Sequence, residues 1–282
     1  MKTKIFISSS SGANFIPHSH GIKVLPDVIS INNDVYEDYK ELSIDNFLGM
    51  VKLRKLKNIN VLSQDKEEIK KEIKNAEEKE YKEFLFLTPP SIICDYDDKI
   101  KDIQEENKKK KIYEYKSTLI SYLYFQQAQI AENMLKNGKK IKDILPKLNK
   151  VSNPDNSFLI FLCPKKDIKE DLLLDEKKAL ALASKAEIKV FSNGKFVTVK
   201  PPKRENPLTY FIRLYGEHIR ERNITPFLVY TNKKSYLKDY SKNMLKPLFP
   251  RLKKYDEVPL SPALVKYVGL NAFGIGFISK DI

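Results

Sequence analysis

The 282-residue sequence contains no tryptophan, two cysteines, three histidines and only nine glycines. Two cysteines are too few for a disulfide framework, and the cysteines and histidines show no spacing typical of a metal site. No apolar run approaches the roughly 18 to 20 residues that a membrane-spanning helix needs. The first residues, MKTKIFISSSSG, lack an apolar stretch of about 7 to 15 residues, so we expect no secretory signal. These absences predict a cytoplasmic protein with no metal and no membrane span.

The charge is strongly basic, with 51 Lys and Arg against 37 Asp and Glu and a formal net charge of +14. Only six of the basic residues are arginine, whose planar guanidinium is best suited to reading bases and phosphates. The lysines mostly alternate with acidic residues, as in Asp65–Glu80, which is typical of a solvated helix face. We therefore predict no nucleic-acid partner.

The first half of the chain alternates short apolar strands with helices. The predicted strands are Lys4–Ile7, Val28–Ile31, Asn60–Leu62, Phe84–Leu87 and Ile112–Tyr115. Helical stripes follow Asp65 and Ser117, and a further stripe runs through Ile141, Ile144 and Leu148. This order predicts an α/β layer structure with a parallel sheet.

A polar stretch, Asn149–Ser157, is the best candidate for a linker, and the pattern changes after it. The predicted elements of the second half are a strand over Phe158–Leu162, helices over Leu172–Ala183 and Leu237–Leu248, a hairpin over Ile188–Val199, a helix from Asn206-Pro207, and strands over Phe227–Tyr230 and Ala272–Ile278. We therefore predict an α/β domain over residues 1–150 and an α+β domain over residues 151–282.

Motifs of catalysis are missing from the sequence. There is no G-x-S-x-G elbow and no phosphate-binding G-x-x-x-x-G-K loop, and neither cysteine has a histidine near it in sequence. What remains is a set of small polar residues where predicted strands end: Ser8, Ser9, Ser63, Gln64, Thr88 and Ser91. Ligands of open α/β sheets bind at the carboxyl ends of the strands, so these residues suit a neutral site for an anionic head group. They equally suit ordinary caps and turns.

Five segments follow one another along the whole chain in the order of a known family. They are IFISSS (Ile5–Ser10), VYEDYKELSIDNF (Val35–Phe47), VLSQD (Val61–Asp65), the segment Glu114–Leu145 and NAFGIGFIS (Asn271–Ser279). Together they resemble the DegV family of bacterial lipid-binding proteins. The first is similar to that family's first strand and Asp-Ser turn, with serine in place of the aspartate. The third resembles its T-S-Q-P loop, the fourth its D-S-x-x-x-S-x-G-x-G turn, and the last its G-A-x-G-x-G-F strand.

The resemblance implies two domains with a long-chain fatty acid bound between them in an apolar tunnel. It implies a binding protein and not an enzyme, with the fatty acid as ligand and no cofactor. Hydroxyl groups would hold the carboxylate, and a partner kinase would phosphorylate the presented acid to an acyl phosphate. Side chains suited to a tunnel lining, and equally to an ordinary core, are Phe196, Tyr210, Phe211, Phe227 and Phe277.

The residues that the resemblance assigns to the head group come from four of the family's motifs. They are Ser63 and Gln64 from the T-S-Q-P loop, Ser91 or Thr88 from an S-G-T turn, Tyr267, Gly269 and Asn271 from an H-x-G-P-G stretch, and Arg204 from a K-x-R segment.

The same positions depart from the family's motifs in ways that bear on binding. Leu62 stands where the family has threonine, Tyr267 replaces the histidine, and the glycine of the S-G-T turn is gone. Each missing buried hydrogen-bond partner costs about 1–3 kcal/mol. Two alternatives therefore stay open: a scaffold protein whose lipid site is filled by Leu62, Ile92 and Tyr267, and electrostatic binding to anionic lipid surfaces or nucleic acid, which would weaken steeply with salt.

Overall fold

The computed structural model describes residues 2–54, 59–164, 183–219, 223–233, 238, 243 and 255–282. The helices predicted over Leu172–Ala183 and Leu237–Leu248 lie almost entirely outside these residues. Both halves of the chain contain strands and helices, and the fold is of the mixed α/β class predicted from the sequence.

The strands of the described residues are β1 (Thr3–Ser8), β2 (Ile22–Leu25), β3 (Val28–Ile31), β4 (Asp34–Glu37), β5 (Ile59–Leu62), β6 (Glu83–Thr88), β7 (Lys111–Lys116), β8 (Ser157–Cys163), β9 (Glu187–Ser192), β10 (Lys195–Val199), β11 (Ile224–Tyr230), β12 (Asp256–Pro259) and β13 (Phe273–Ser279). The helices are α1 (Ile44–Arg54), α2 (Lys66–Glu77), α3 (Asp97–Glu106), α4 (Ser121–Lys136), α5 (Ile141–Val151), α6 (Pro207–Ile219) and α7 (Pro262–Val268).

A four-stranded parallel sheet in the order β2-β1-β6-β7 forms the centre of the first half. The middle residues of its two inner strands, Ile5–Ile7 of β1 and Phe84–Leu87 of β6, are apolar and buried, as in strands covered on both faces. The polar end of β1 continues into a 3-10 turn over Ser9–Ser11. The order places the carboxyl ends of β1 and β6 side by side, which is where the sequence predicts a binding site.

The prediction that Val28–Ile31 and Asn60–Leu62 join this parallel sheet is wrong. They form β3 and the end of β5, and with β4 they make a separate antiparallel sheet in the order β4-β3-β5. The Asn32-Asn33 turn, with positive φ at both residues, closes the β3–β4 hairpin, and this pairing takes β3 away from the parallel sheet. One face of the small sheet buries Ile29 and Ile31 and the other faces outward.

The second half holds a six-stranded sheet in the order β10-β9-β8-β13-β11-β12, antiparallel except for the β11–β12 pair. The predicted hairpin forms, with Asn193 and Gly194 both at positive φ in its turn. Helix α6 packs against β8, β9 and β13 through Leu208, Phe211 and Tyr215. Helix α5 continues to Val151, so the first residues of the predicted linker are helical.

One apolar core runs from the first half into the second, with members from Ile5 on β1 to Ile278 on β13. Helix α4 belongs to this core and contacts both β1 of the parallel sheet and β13 of the six-stranded sheet. The division into domains at residue 150 stays a prediction. Within the described ranges, no helix is long and apolar enough to cross a lipid bilayer, and no cluster of three or more His, Cys, Asp or Glu side chains is arranged to hold a metal ion.

Candidate functional site

A cleft of about 500 Å³ opens beside the ends of β5 and β6, between the small antiparallel sheet, the β6–α3 loop and helix α7. Its polar lining residues are Ser63, Asp65, Ser91, Asp95, Lys99 and Lys266. Its apolar lining residues are Val28, Val61, Leu62, Ile92 and Ile93. An apolar wall with a few polar side chains is typical of a site for a small ligand.

The apolar side chains of the cleft are unusually open to solvent. Leu62 is 54% exposed and Ile92 is 44% exposed, and both are among the few large apolar side chains that the described residues leave exposed. The scaffold alternative expects Leu62 and Ile92 to fill the lipid site, whereas in this cleft both side chains are exposed. They stand at its edge, where they suit contact with an apolar ligand or partner.

Two of the predicted head-group residues, Ser63 and Ser91, line this cleft together. Ser63 follows β5 and precedes Asp65, whose side chain accepts a hydrogen bond from the Glu67 amide and so caps α2. Ser91 lies in a turn closed by the hydrogen bond from the Ile93 amide to the Pro90 carbonyl. Within the described chain, the hydroxyls of Ser63 and Ser91 make no side-chain hydrogen bond, so both are available to an acceptor or donor in the cleft.

Positive charge reaches the cleft through two lysines that the sequence reasoning did not single out. The Nζ atom of Lys99 donates hydrogen bonds to the carbonyl oxygens of Ser63 at 3.0 Å and Gln64 at 2.9 Å. Lys266 lines the cleft from α7, with its Nζ atom 5.3 Å from the centre of the Tyr267 ring. Nothing in the sequence distinguishes these two from the many other lysines, because only the fold brings them to the serines.

Tyr267, the neighbour of Lys266 on α7, does not itself line the cleft but contacts a residue that does. Its hydroxyl donates a hydrogen bond to the carbonyl oxygen of Ile92, and its ring stacks on Phe196 with centroids 5.2 Å apart. The Lys189 ammonium donates to the Tyr267 carbonyl at 2.6 Å. The phenol therefore joins α7 to the β6–α3 loop.

Gln64 and Thr88, which were also predicted to bind the head group, are buried and hydrogen-bonded within the protein. The Gln64 amide donates to Glu37 and accepts from the Asp65 amide at 3.1 Å. The Thr88 hydroxyl donates to Glu114 at 3.1 Å, which joins β6 to β7. Neither residue lines the cleft.

The other three predicted residues also lie off the cleft lining. Arg204 is exposed at a positive φ of 75° in the loop between β10 and α6. Gly269 ends α7 at a φ of 93°, a conformation that side chains rarely adopt. Asn271 follows in the turn before β13.

Ser8 and Ser9, at the end of β1, donate hydrogen bonds to two buried carboxylates. Ser8 Oγ donates to Asp27 Oδ2 at 2.6 Å, and Ser9 Oγ donates to Asp38 Oδ2 at 2.7 Å. The Tyr96 hydroxyl donates to Asp27 Oδ1 at 2.9 Å. Burial raises the pKa of Asp27, and burial raises the pKa of Asp38 to about 7 although hydrogen bonds to its carboxylate oppose the shift.

Comparisons with known proteins identify the family of the chain. The model of the family described as "Uncharacterised protein, DegV family" matches residues 2–162, more than half of the chain. The chain belongs to the DegV family. No curated protein matches its sequence.

Solved structures of DegV proteins share the fold over nearly the whole chain. A fatty-acid-binding DegV protein from Streptococcus agalactiae matches with a TM-score of 0.77 and 15% identity, covering 99% of each chain. A DegV lipid-binding protein from Thermotoga maritima matches with a TM-score of 0.75 and 20% identity, also covering 99% of each chain. A stearic-acid-binding protein from Eubacterium ventriosum matches at 0.73 and 14% identity, covering 99% of this chain and 98% of that one. At these identities the likeness establishes the fold.

Proposed function

We propose that this DegV protein binds a long-chain fatty acid or a related lipid and presents its head group to a partner kinase or acyl-transfer enzyme. In this proposal the protein is a carrier in the cytoplasm and not a catalyst. The observation that carries the proposal is the cleft that brings the Ser63 and Ser91 hydroxyls together beside the Lys99 ammonium and two exposed apolar side chains.

The polar part of the cleft suits a carboxylate. Two hydroxyl donors and a nearby ammonium supply the hydrogen bonds that an anion needs when it leaves water, and bonds to charged groups contribute about 1.5–3 kcal/mol each. The positive charge of Lys99 and Lys266 replaces the charge lost where Tyr267 stands in place of the family's histidine. Asp65 and Asp95 also line the cleft, so the formal charges of its four charged side chains cancel, which argues against a ligand with several negative charges.

The apolar part of the cleft suits a hydrocarbon. Leu62, Ile92 and Ile93 adjoin the two serines, so an acyl chain would leave water as soon as it passes the head group. Each buried CH₂ contributes about 0.8 kcal/mol, which lets a long chain offset a head-group site with fewer hydrogen bonds than the family's motifs supply. DegV proteins of the same fold bind stearic acid and heptadecanoic acid, and by the proposal this chain takes a similar ligand.

The open cleft also supports the proposed presentation to a partner. Leu62 and Ile92 are exposed at its edge, and a head group beside Ser91, which is itself exposed, stays within reach of an enzyme active site. The competing function is a scaffold without ligand. It is favoured by Gln64 and Tyr267, whose side chains already bond to Glu37 and Ile92 within the protein.

Native mass spectrometry of the freshly purified protein, with organic extraction, decides between these functions. We expect a fatty acid to co-purify at a single molecule per chain. A ligand-free mass that is unchanged after incubation with fatty acids of different lengths would favour the scaffold.

Variants then test the cleft itself. Ser63→Ala combined with Ser91→Ala should weaken fatty-acid binding about tenfold or more, because two hydroxyl donors are lost. A matched control combines Ser157→Ala with Ser192→Ala, which remove two serines that do not line the cleft. Full affinity in the first double variant would show that the ligand binds elsewhere.

A further inference from the structure

Helix α7 forms one wall of the cleft, although it has only seven residues. A helix of this length is not stable by itself, so its position depends on contacts with the rest of the protein. Lys266 lines the cleft from this helix, and Tyr267 reaches across to the Ile92 carbonyl. Whatever holds the start of α7 therefore also sets where Lys266 stands in the lining of the cleft.

The start of α7 is held by a side chain from the other end of the chain. Ser261 caps the helix, since its Oγ atom accepts a hydrogen bond from the Ala263 amide at 3.2 Å. The same hydroxyl donates to Asp38 Oδ2 at 2.8 Å. Ser261 and Asp38 are each 1% exposed, so water cannot replace either partner.

Asp38 is in turn held by the turn after β1. Ser9 donates to the same Oδ2 atom at 2.7 Å, and the Asp38 amide donates to the Asp27 carbonyl at 2.8 Å. Ser9 also accepts a hydrogen bond from the Asp27 amide at 3.0 Å. One carboxylate oxygen thus connects the end of β1, the β2–β3 junction and the cap of α7.

We propose that Asp38 is a positioning residue for ligand binding: through Ser261 it holds α7 so that Lys266 lines the cleft and Tyr267 reaches the Ile92 carbonyl. This inference rests on the proposed function of the cleft. Removing the carboxylate leaves two buried hydroxyls without their acceptor, and the capping serine loses the contact that places it. We then expect weaker ligand binding, although Asp38 does not line the cleft.

Two measurements on the full-length protein test this role: fatty-acid affinity, and hydrogen exchange of the α7 amides in the ligand-free protein. Asp38→Ala and Ser261→Ala should each speed exchange within residues 262–268 and weaken binding about tenfold, the effect of about one lost hydrogen bond. Asp38→Asn keeps an oxygen that can accept from both hydroxyls, so it should restore most of the affinity. Ser157→Ala, which removes an equally buried hydroxyl that bonds to the Val151 carbonyl, is the control and should leave both readouts unchanged.

The outcomes separate the inference from the function on which it rests. Wild-type affinity and unchanged α7 exchange in Asp38→Ala would overturn the positioning role while the proposed function stands. A loss of affinity that is as large in Asp38→Asn as in Asp38→Ala would overturn it as well. If the wild-type protein binds no fatty acid, the proposed function fails and this inference fails with it, even if the exchange data still show that Asp38 holds α7.

Discussion

The Ser261 hydroxyl donates to the Asp38 carboxylate across 223 positions of the sequence, at an Oγ–Oδ2 distance of 2.8 Å. Both side chains are buried, and the same oxygen of Asp38 accepts from Ser9. A buried carboxylate loses its hydration, and hydrogen bonds from hydroxyls only partly compensate. The pKa of Asp38 is therefore raised, and the link between the two ends of the chain depends on pH.

Asp38 should make the stability of the protein depend on pH. Burial raises the pKa of its carboxyl from 3.8 to about 7 in the folded chain. Between these values the folded chain holds a proton that the unfolded chain has released, so the stability from protonated Asp38 is present below about pH 4 and is lost by about pH 7. Denaturant unfolding should show a free energy of unfolding that falls from about pH 4 to about pH 7, by an amount on the order of a few kcal/mol.

Asp38→Asn cannot ionise, so its stability should change less over the same range. The pKa of Asp27 is also raised by burial, and this second carboxyl contributes a slope of the same sign. Asp27→Asn therefore serves as a comparison, and it should reduce part of the fall in unfolding free energy with pH. If the unfolding free energy of Asp38→Asn fell with pH as steeply as that of the wild type, the pH dependence would not come from Asp38.

Lys99→Met should weaken fatty-acid binding about tenfold with little loss of stability. The variant removes the ammonium that donates to the Ser63 and Gln64 carbonyls and supplies positive charge to the cleft. Lys99→Arg keeps the charge and should bind more tightly than Lys99→Met. Lys101→Met, an exposed lysine on the same helix α3, should behave as wild type in calorimetric titrations. Equal affinities for Lys99→Met and Lys101→Met would remove Lys99 from the site.

Gly276→Ala should destabilise the six-stranded sheet. A Cβ atom at this position of β13 would lie 2.3 Å from Phe227 Cζ and 2.6 Å from the Phe158 carbonyl oxygen, so a backbone would have to shift. Overpacking of this kind costs about 1–3 kcal/mol, which thermal or denaturant unfolding would detect. Gly49→Ala is the matched control, because a Cβ there meets nothing within 4 Å, and in helix α1 it should be neutral or stabilising. An undiminished stability of Gly276→Ala would show that β13 accommodates the methyl group.

Salt should have little effect on fatty-acid affinity. The proposed head-group contacts are short-range hydrogen bonds, so raising the salt from about 0.05 M to about 0.5 M should change the dissociation constant less than about threefold. Attraction of the whole +14 chain to an anionic lipid surface or to nucleic acid would instead weaken steeply over that range. A steep loss of binding would favour that electrostatic alternative.

Part of the candidate site could be predicted because it rests on strand ends and caps. Ser63 and Ser91 follow or adjoin predicted strands, and the structure places them in one cleft. The lysines and the buried acids could not be predicted in the same way. Lys99 looks like any lysine of an amphipathic helix, and only the packing of α3 under the Ser63 carbonyl gives it a place in the site.

The sequence by itself determined the features that depend on near neighbours. These are the buried strands β1, β6 and β13, the Asp65 cap of α2, and the Asn193-Gly194 hairpin turn, since apolar periodicity, caps and turn residues act within a few positions. Only the tertiary structure decided that β3 and β5 pair in a separate antiparallel sheet and that Asp38 reaches Ser261. Both depend on contacts between distant parts of the chain. A strand edge or a buried polar group needs a hydrogen-bonding partner, but the residue pattern within one segment does not say which distant segment supplies it.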